Sequence, residues 1–106
     1  PLLYDNLIYM VRNGGLLVAV DATNGKLLHR ERLNAPGQYS ASPVAANGHV
    51  YLCSNRGVIT VIKAGRQFEL THQHDLKDPV FVTPAIDKNT LYVRTEKSLR
   101  AFRSGK

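Results

Sequence analysis

An all-β fold of successive four-stranded antiparallel units, a partial β-propeller, is predicted by three observations on this 106-residue sequence. Pro1, Pro43 and Pro84 stand 42 and 41 residues apart, and Tyr9, Tyr51 and Tyr92 keep the same two intervals. Short runs rich in Val, Ile, Leu and Tyr alternate with Asn- and Gly-containing turns from end to end. No apolar period of 3.6 residues persists over three turns, so helices are not expected as main elements. Four antiparallel strands in ~42 residues is the period of a propeller blade, and the chain holds about 2.5 such units.

Each element has its own signal. The three tyrosines lie in Leu7-Ile8-Tyr9-Met10-Val11, Val50-Tyr51-Leu52-Cys53 and Leu91-Tyr92-Val93, the expected second strands. Placing residues 1–22 on 43–64 gives five identities: Pro1/Pro43, Tyr9/Tyr51, Asn13/Asn55, Gly15/Gly57 and Ala22/Ala64. In the third copy the turn Ser54-Asn55-Arg56-Gly57 shortens to Thr95-Glu96-Lys97. Turns are expected at Asn13-Gly14-Gly15, Asn24-Gly25, Asn47-Gly48, Asn55-Arg56-Gly57 and Lys88-Asn89, since Asn and Gly tolerate positive φ. Copy two then reads as strands over 39–47, 49–55, 58–64 and 67–76. Pro43 and Pro84 fall inside the first strand of their copies, which should therefore be an edge or carry a bulge, because proline donates nothing to a ladder.

The units divide the chain as repeats 1–42, 43–83 and 84–106. Copy one lacks the four residues that precede proline in the others, and copy three stops before a fourth strand. A propeller closes with roughly 4–8 blades, so the expectation is a C-terminal piece of a longer protein, with self-association through open blade faces and strand edges.

Composition narrows the classes. With 14 Lys+Arg against 8 Asp+Glu the formal net charge is +6, and 43% apolar with 21% charged residues suits a globular chain rather than a disordered one. No window approaches the ~18 apolar residues of a membrane-spanning helix. The single cysteine, Cys53, excludes an internal disulfide and any multi-cysteine metal site.

Several segments resemble a known family. Ala19-Val20-Asp21-Ala22-Thr23-Asn24-Gly25-Lys26 resembles the blade signature of pyrroloquinoline-quinone-type (quinoprotein-like) propeller repeats, in which Ala-x-Asp-x-x-Thr-Gly ends the third strand and a Trp follows in the fourth. Ser42 to Tyr51, Gly57 to Gly65 and Leu91 to Thr95 resemble the hairpins of the same repeats, in the C-terminal blades. His29 stands where the signature Trp is expected, Asn24 where Thr is expected, and the chain has no Trp. The family Trp docks neighbouring blades, so its loss implies looser or different packing. Family dehydrogenases hold their quinone with a vicinal Cys pair, a Trp floor and a calcium-binding acidic set, none of which this sequence shows. The resemblance thus implies the propeller shape without cofactor or metal, and an extracytoplasmic, bacterial setting.

Local chemistry points the same way. His72 and His74 share one face of an expected strand, with Asp75 alongside. A metal needs further ligands such as His49 or Asp78, which no spacing brings near, so a solvated outer face is the plainer reading. Cys53 reads as a buried apolar thiol. Ser40, Ser42 and Ser54 with His49 and Asp87 lack a nucleophile elbow. Lys26, Arg30 and Arg32 are expected on one face of the fourth strand with Leu27 and His29 on the other. Arg94, Lys97, Arg100, Arg103 and Lys106 crowd the end of the chain. Without interleaved stacking aromatics these basics read as a solubilising face rather than a nucleic-acid site. The reading is a non-enzymatic propeller module for binding or scaffolding a protein partner. Its contacts are expected at turns at the ring mouth, such as Asn13, Asn55 and Arg56. The alternative is a piece of a quinone-dependent dehydrogenase whose catalytic residues lie outside this chain.

Overall fold

Alternating side chains between tight Asn/Gly turns produce three antiparallel sheets in the computed structural model, which describes residues 1–39, 42–77, 85–87, 90–94 and 99–103. The first sheet runs β1 (Leu2–Tyr4), β2 (Leu7–Arg12), β3 (Leu16–Asp21) and β4 (Leu27–Arg32) in sequential order. The second repeats it with β5 (Val44–Ala46), β6 (His49–Cys53), β7 (Val58–Lys63) and β8 (Leu70–Asp75). The third holds β9 (Ala85–Asp87), β10 (Thr90–Arg94) and β11 (Leu99–Arg103). No helix occurs among the described residues, hence none long and apolar enough to cross a membrane.

The repeat survives at the level of register. Tyr9 pairs with Leu2 and Ala19, Tyr51 with Val44 and Val61, and Tyr92 with Ala85 and Ala101. The turns follow the expected chemistry, with positive φ at Gly14, Gly15, Gly25, Asn47, Gly48 and Gly57. One turn had not been anticipated: Asp5 and Asn6, at φ 55° and 63°, close the β1–β2 hairpin. Both residue types tolerate the left-handed region, so the signal was present without a glycine to mark it.

Two expectations are corrected. Strand β5 starts at Val44, so Pro43 stands just ahead of the ladder rather than within it; a residue with no N–H fits that place better. Pro84 lies outside the described residues. The alternation proposed for the fourth strand also fails. Lys26 precedes β4, and a register shift between Ala19 and Val20 leaves Leu28 as an extra residue, because Val20 pairs with Leu27 and Ala19 with His29. A matching shift between Val61 and Ile62 makes Thr71 the extra residue of β8. A bulge inserts one residue and changes which side chains face inward beyond it. Leu28 and His29 are consequently both half-buried, while Leu27 and Arg30 are exposed.

The main core lies between the first two sheets. Leu7, Tyr9, Leu17 and Ala19 from β2 and β3 meet Val50, Leu52 and Ile62 from β6 and β7, with Leu33, Ala35 and Tyr39 closing one end. Tyr51, Cys53, Ile59, Val61 and Leu76 form a second cluster on the opposite face of the second sheet. The innermost strands adjoin, β1 beside β5 and β5 beside β9. Sheets stacked by their faces with inner strands side by side are the arrangement of propeller blades.

Candidate functional site

One end of the first two sheets gathers the turns that the sequence singled out. The β2–β3 turn, the β6–β7 turn and the segment from Leu33 to Tyr39 all lie there, because β2, β4 and β6 run toward the same end. Asn13 accepts a hydrogen bond at Oδ1 from Tyr39 N (2.9 Å), and Gly14 N donates to Gly37 O (2.7 Å). Asn55 N donates to Gln38 O (2.8 Å), tying the second sheet's turn to the same segment. The Arg56 side chain lies over Gly37, where a Cβ would come within 3.3 Å of its Cγ, Cδ and Nε. Tyr39 is buried beneath this layer and donates from Oη to Ala35 O (2.6 Å). Burial pushes its phenol up to about 12. Asn13, Asn55 and Arg56 are therefore brought together on a cross-linked platform. A cleft of ≈ 280 Å³ opens beside it, lined by Met10, Arg12, Tyr39 and Pro43 among others.

A second group of contacts joins the sheets at the other end. Asp21, in the signature segment, caps its own turn: Oδ1 accepts from Thr23 N (2.8 Å) and Thr23 Oγ1 (2.6 Å). Its Oδ2 pairs with Arg66 of the next sheet at 2.9 Å. The Thr23 hydroxyl first, and Arg66 next, hold this carboxyl down to about 2. Gly65 N donates to Tyr9 Oη (2.9 Å), and Gly48 N donates to Tyr4 Oη (2.8 Å). On the platform side, Gln73 Nε2 donates to Leu33 O (2.6 Å) and so also links the two sheets.

His29 occupies the place of the signature Trp and performs a docking role of its own. Its Nε2 lies 3.3 Å from Gly65 O, and its ring sits between Tyr9 and Phe68 at centroid distances of 6.5 and 6.0 Å. An imidazole thus lies between the sheets at the position where the signature has a Trp. Sequence reasoning did not find Asp21–Arg66, Gln73 or the tyrosine hydroxyls as inter-sheet contacts. Only Asp21 carried a visible signal, through the signature itself.

A depressed carboxyl has a testable consequence. A group held below its unfolded value contributes stability above that value, and the contribution is lost as pH falls through the folded value. Asp21 should therefore steepen acid unfolding between about pH 4 and pH 2. In the Asp21→Asn variant, ellipticity followed across that window should show a shallower acid dependence than the parent; an identical profile would remove the assignment.

The other candidates separate. His72 and His74 do share a face of β8, their rings stacked at 6.0 Å, and both are exposed. His49 lies two strands away at the start of β6, with Nδ1 3.0 Å from Asn47 O. Asp75 accepts from Lys77 N instead. Among the described residues no group of three or more His, Cys, Asp or Glu side chains converges as a metal site would require. Ser54 is buried and its Oγ accepts from Val58 N (3.1 Å), a turn contact rather than a nucleophile's setting. Asp87 falls in β9, Arg94 in β10, and Arg100 and Arg103 in β11. Ser40, Asp78, Lys97 and Lys106 lie outside the described residues. Cys53 is buried, its Sγ 3.6 Å from Ser54 O, and burial pushes the thiol up to about 12. A thiol so protonated is a poor nucleophile. A disulfide reagent at neutral pH should leave the native chain untouched and titrate one thiol after denaturant is added; rapid native-state reaction would contradict this burial.

Comparison with known proteins agrees with this architecture. A family model described as outer membrane protein assembly factor BamB matches residues 1–104. Among solved structures, BamB from Moraxella catarrhalis superposes with a TM-score of 0.71 at 14% identity, covering 91% of this chain and 28% of that one. The quinohemoprotein alcohol dehydrogenase ADHIIG from Pseudomonas putida HK5 gives 0.81 at 15% identity, covering 100% of this chain and 19% of that one. At such identities the likeness is one of fold, and the chain spans less than a third of either neighbour. No curated protein sequence matches it significantly.

Proposed function

Because the chain belongs to the family described as outer membrane protein assembly factor BamB, we propose that it is a non-enzymatic propeller module that binds or scaffolds other proteins. The observation that carries the proposal is the platform of turns. Asn13, Gly37, Gln38, Asn55 and Arg56 come from two blades and the segment between them, and hydrogen bonds and packing fix them to one another. A rigid frame that presents loop side chains to solvent suits recognition of a partner surface, since the ordering cost is met before binding. The buried, protonated Cys53 and the turn-bound Ser54 supply no nucleophile to set against this reading.

The test is site-specific crosslinking in cells of the source organism. A photoreactive residue at Arg56 should give a discrete protein adduct, and the same residue at Glu31, on the outer strand, should not. Equal adducts at both positions, or none at Arg56, count against the platform. If the intact protein binds pyrroloquinoline quinone together with calcium, the dehydrogenase reading replaces this one.

A further inference from the structure

Cations crowd one rim of the blade stack, and two of them are laid over glycines. This rim is the platform end, where the first two sheets are both four-stranded. A neighbouring blade stacks on the face of a sheet and does not cover the turns at its rim. Arg12 ends β2, Arg32 ends β4 and Arg56 stands in the β6–β7 turn. Lys77 joins them, because Leu76 N donates to Gly57 O (2.8 Å) and ties the end of β8 to that turn. All four side chains are exposed. Arg32 Nη1 comes to 3.9 Å from where a Cβ on Gly14 would stand, and Arg56 Nε to 3.3 Å from the corresponding point on Gly37. Gly14 and Gly37 are themselves joined by the 2.7 Å hydrogen bond of the platform. Two arginine side chains therefore flank one fixed backbone link.

This rim holds little to neutralise them. Its described acids are Glu31 and Asp75, and Asp75 Oδ1 accepts from Lys77 N (2.8 Å). Among the described residues the one ion pair, Arg66 with Asp21, lies at the opposite rim. That rim mixes the two signs, with Asp5, Asp21 and Glu69 beside Lys26, Lys63 and Arg66. A cluster of like charges raises the local potential and favours an anion. The planar fork of a guanidinium matches a carboxylate in two parallel hydrogen bonds. The aromatic ring of the platform, Tyr39, is buried, so it offers no base a stacking surface, which argues against single-stranded nucleic acid.

We propose that the platform recognises a carboxylate-rich segment of a partner protein, with Arg32 and Arg56 as paired anchors and Arg12 and Lys77 as flanking charge. The inference rests on the protein-binding reading of the turns and names the chemistry of the partner.

The experiment is fluorescence anisotropy of the full chain with a labelled peptide of alternating glutamate and glycine. Binding should saturate and weaken as sodium chloride is raised. Arg32→Gln and Arg56→Gln should each weaken it about three- to tenfold. Lys63→Gln removes the same charge from an exposed position at the opposite rim and should leave affinity unchanged. Absence of saturable binding, an equal loss in Lys63→Gln, or equal affinity for an oligothymidylate of the same charge would each overturn the proposal. The crosslink at Arg56 separates the two levels. A discrete protein adduct there without binding of the acidic peptide overturns the acidic class and leaves the recognition reading standing, whereas loss of the adduct overturns both.

Discussion

Replacing Leu17 with alanine should lower the free energy of unfolding by about 3–5 kcal/mol. Leu17 is fully buried as the second residue of β3, on the face that meets Val50, Leu52 and Ile62 of the next blade. Truncation removes the transfer free energy of its side-chain carbons and leaves a cavity that two opposed sheets cannot collapse to fill. For a domain whose whole stability is on the order of 5–15 kcal/mol, that is a large fraction. Urea unfolding should show the midpoint falling while the slope stays constant. Leu27→Ala supplies the contrast. Leu27 is 56% exposed on the outer strand, so its truncation should cost less than about 1 kcal/mol. A Leu17 variant as mild as the Leu27 variant would mean that the first two blades do not pack through this face.

Much of this architecture was legible from residues alone. Tyr9, Tyr51 and Tyr92 recur at the same ladder position of each sheet, so the spacing survives even where most neighbours change. The glycine and asparagine turns were legible because positive φ restricts the residue types that fit. The start of β5 was expected a few residues too early, ahead of Pro43, for a physical reason: an apolar run shows where side chains are buried, and the ladder starts where the backbone can donate. The fourth strands were harder. The bulges at Leu28 and Thr71 sit at matching register shifts of the outer strand on β3 and β7, and no residue type marks them. Of the platform, Asn13, Asn55 and Arg56 were visible as turns. That they converge with Gly37 and Gln38 depends on the direction in which three separate strands end. The dock at His29 was legible only as a departure from the signature. Its partner, Gly65 O, is a backbone atom, which a sequence never advertises.

Gly15→Ala is expected to lower stability by about 3 kcal/mol or more, from backbone conformation and crowding together. Gly15 ends the β2–β3 turn at φ +84°, a conformation that costs an ordinary L-residue roughly 1–2 kcal/mol. The remainder comes from crowding. A Cβ built there would stand 2.8 Å from the carbonyl oxygen of Ala35 and 3.3 Å from its carbon, both backbone atoms that no rotamer change can move aside. Relief requires the 33–35 segment to retreat, yet Leu33 N donates to Gly15 O at 2.9 Å and Ala35 O receives the Tyr39 hydroxyl at 2.6 Å. Moving the segment therefore strains two hydrogen bonds under the platform, and each buried polar group left unpaired costs a further 1–3 kcal/mol or so. Gly25 separates the two contributions. It has nearly the same φ, +76°, with nothing within 4 Å of its would-be Cβ, so Gly25→Ala should lose only the conformational part, about 1 kcal/mol. Thermal melts of the two variants should differ by on the order of 10 °C. Equal losses would mean that Gly15 is required for its backbone angle alone and that Ala35 does not press against the turn.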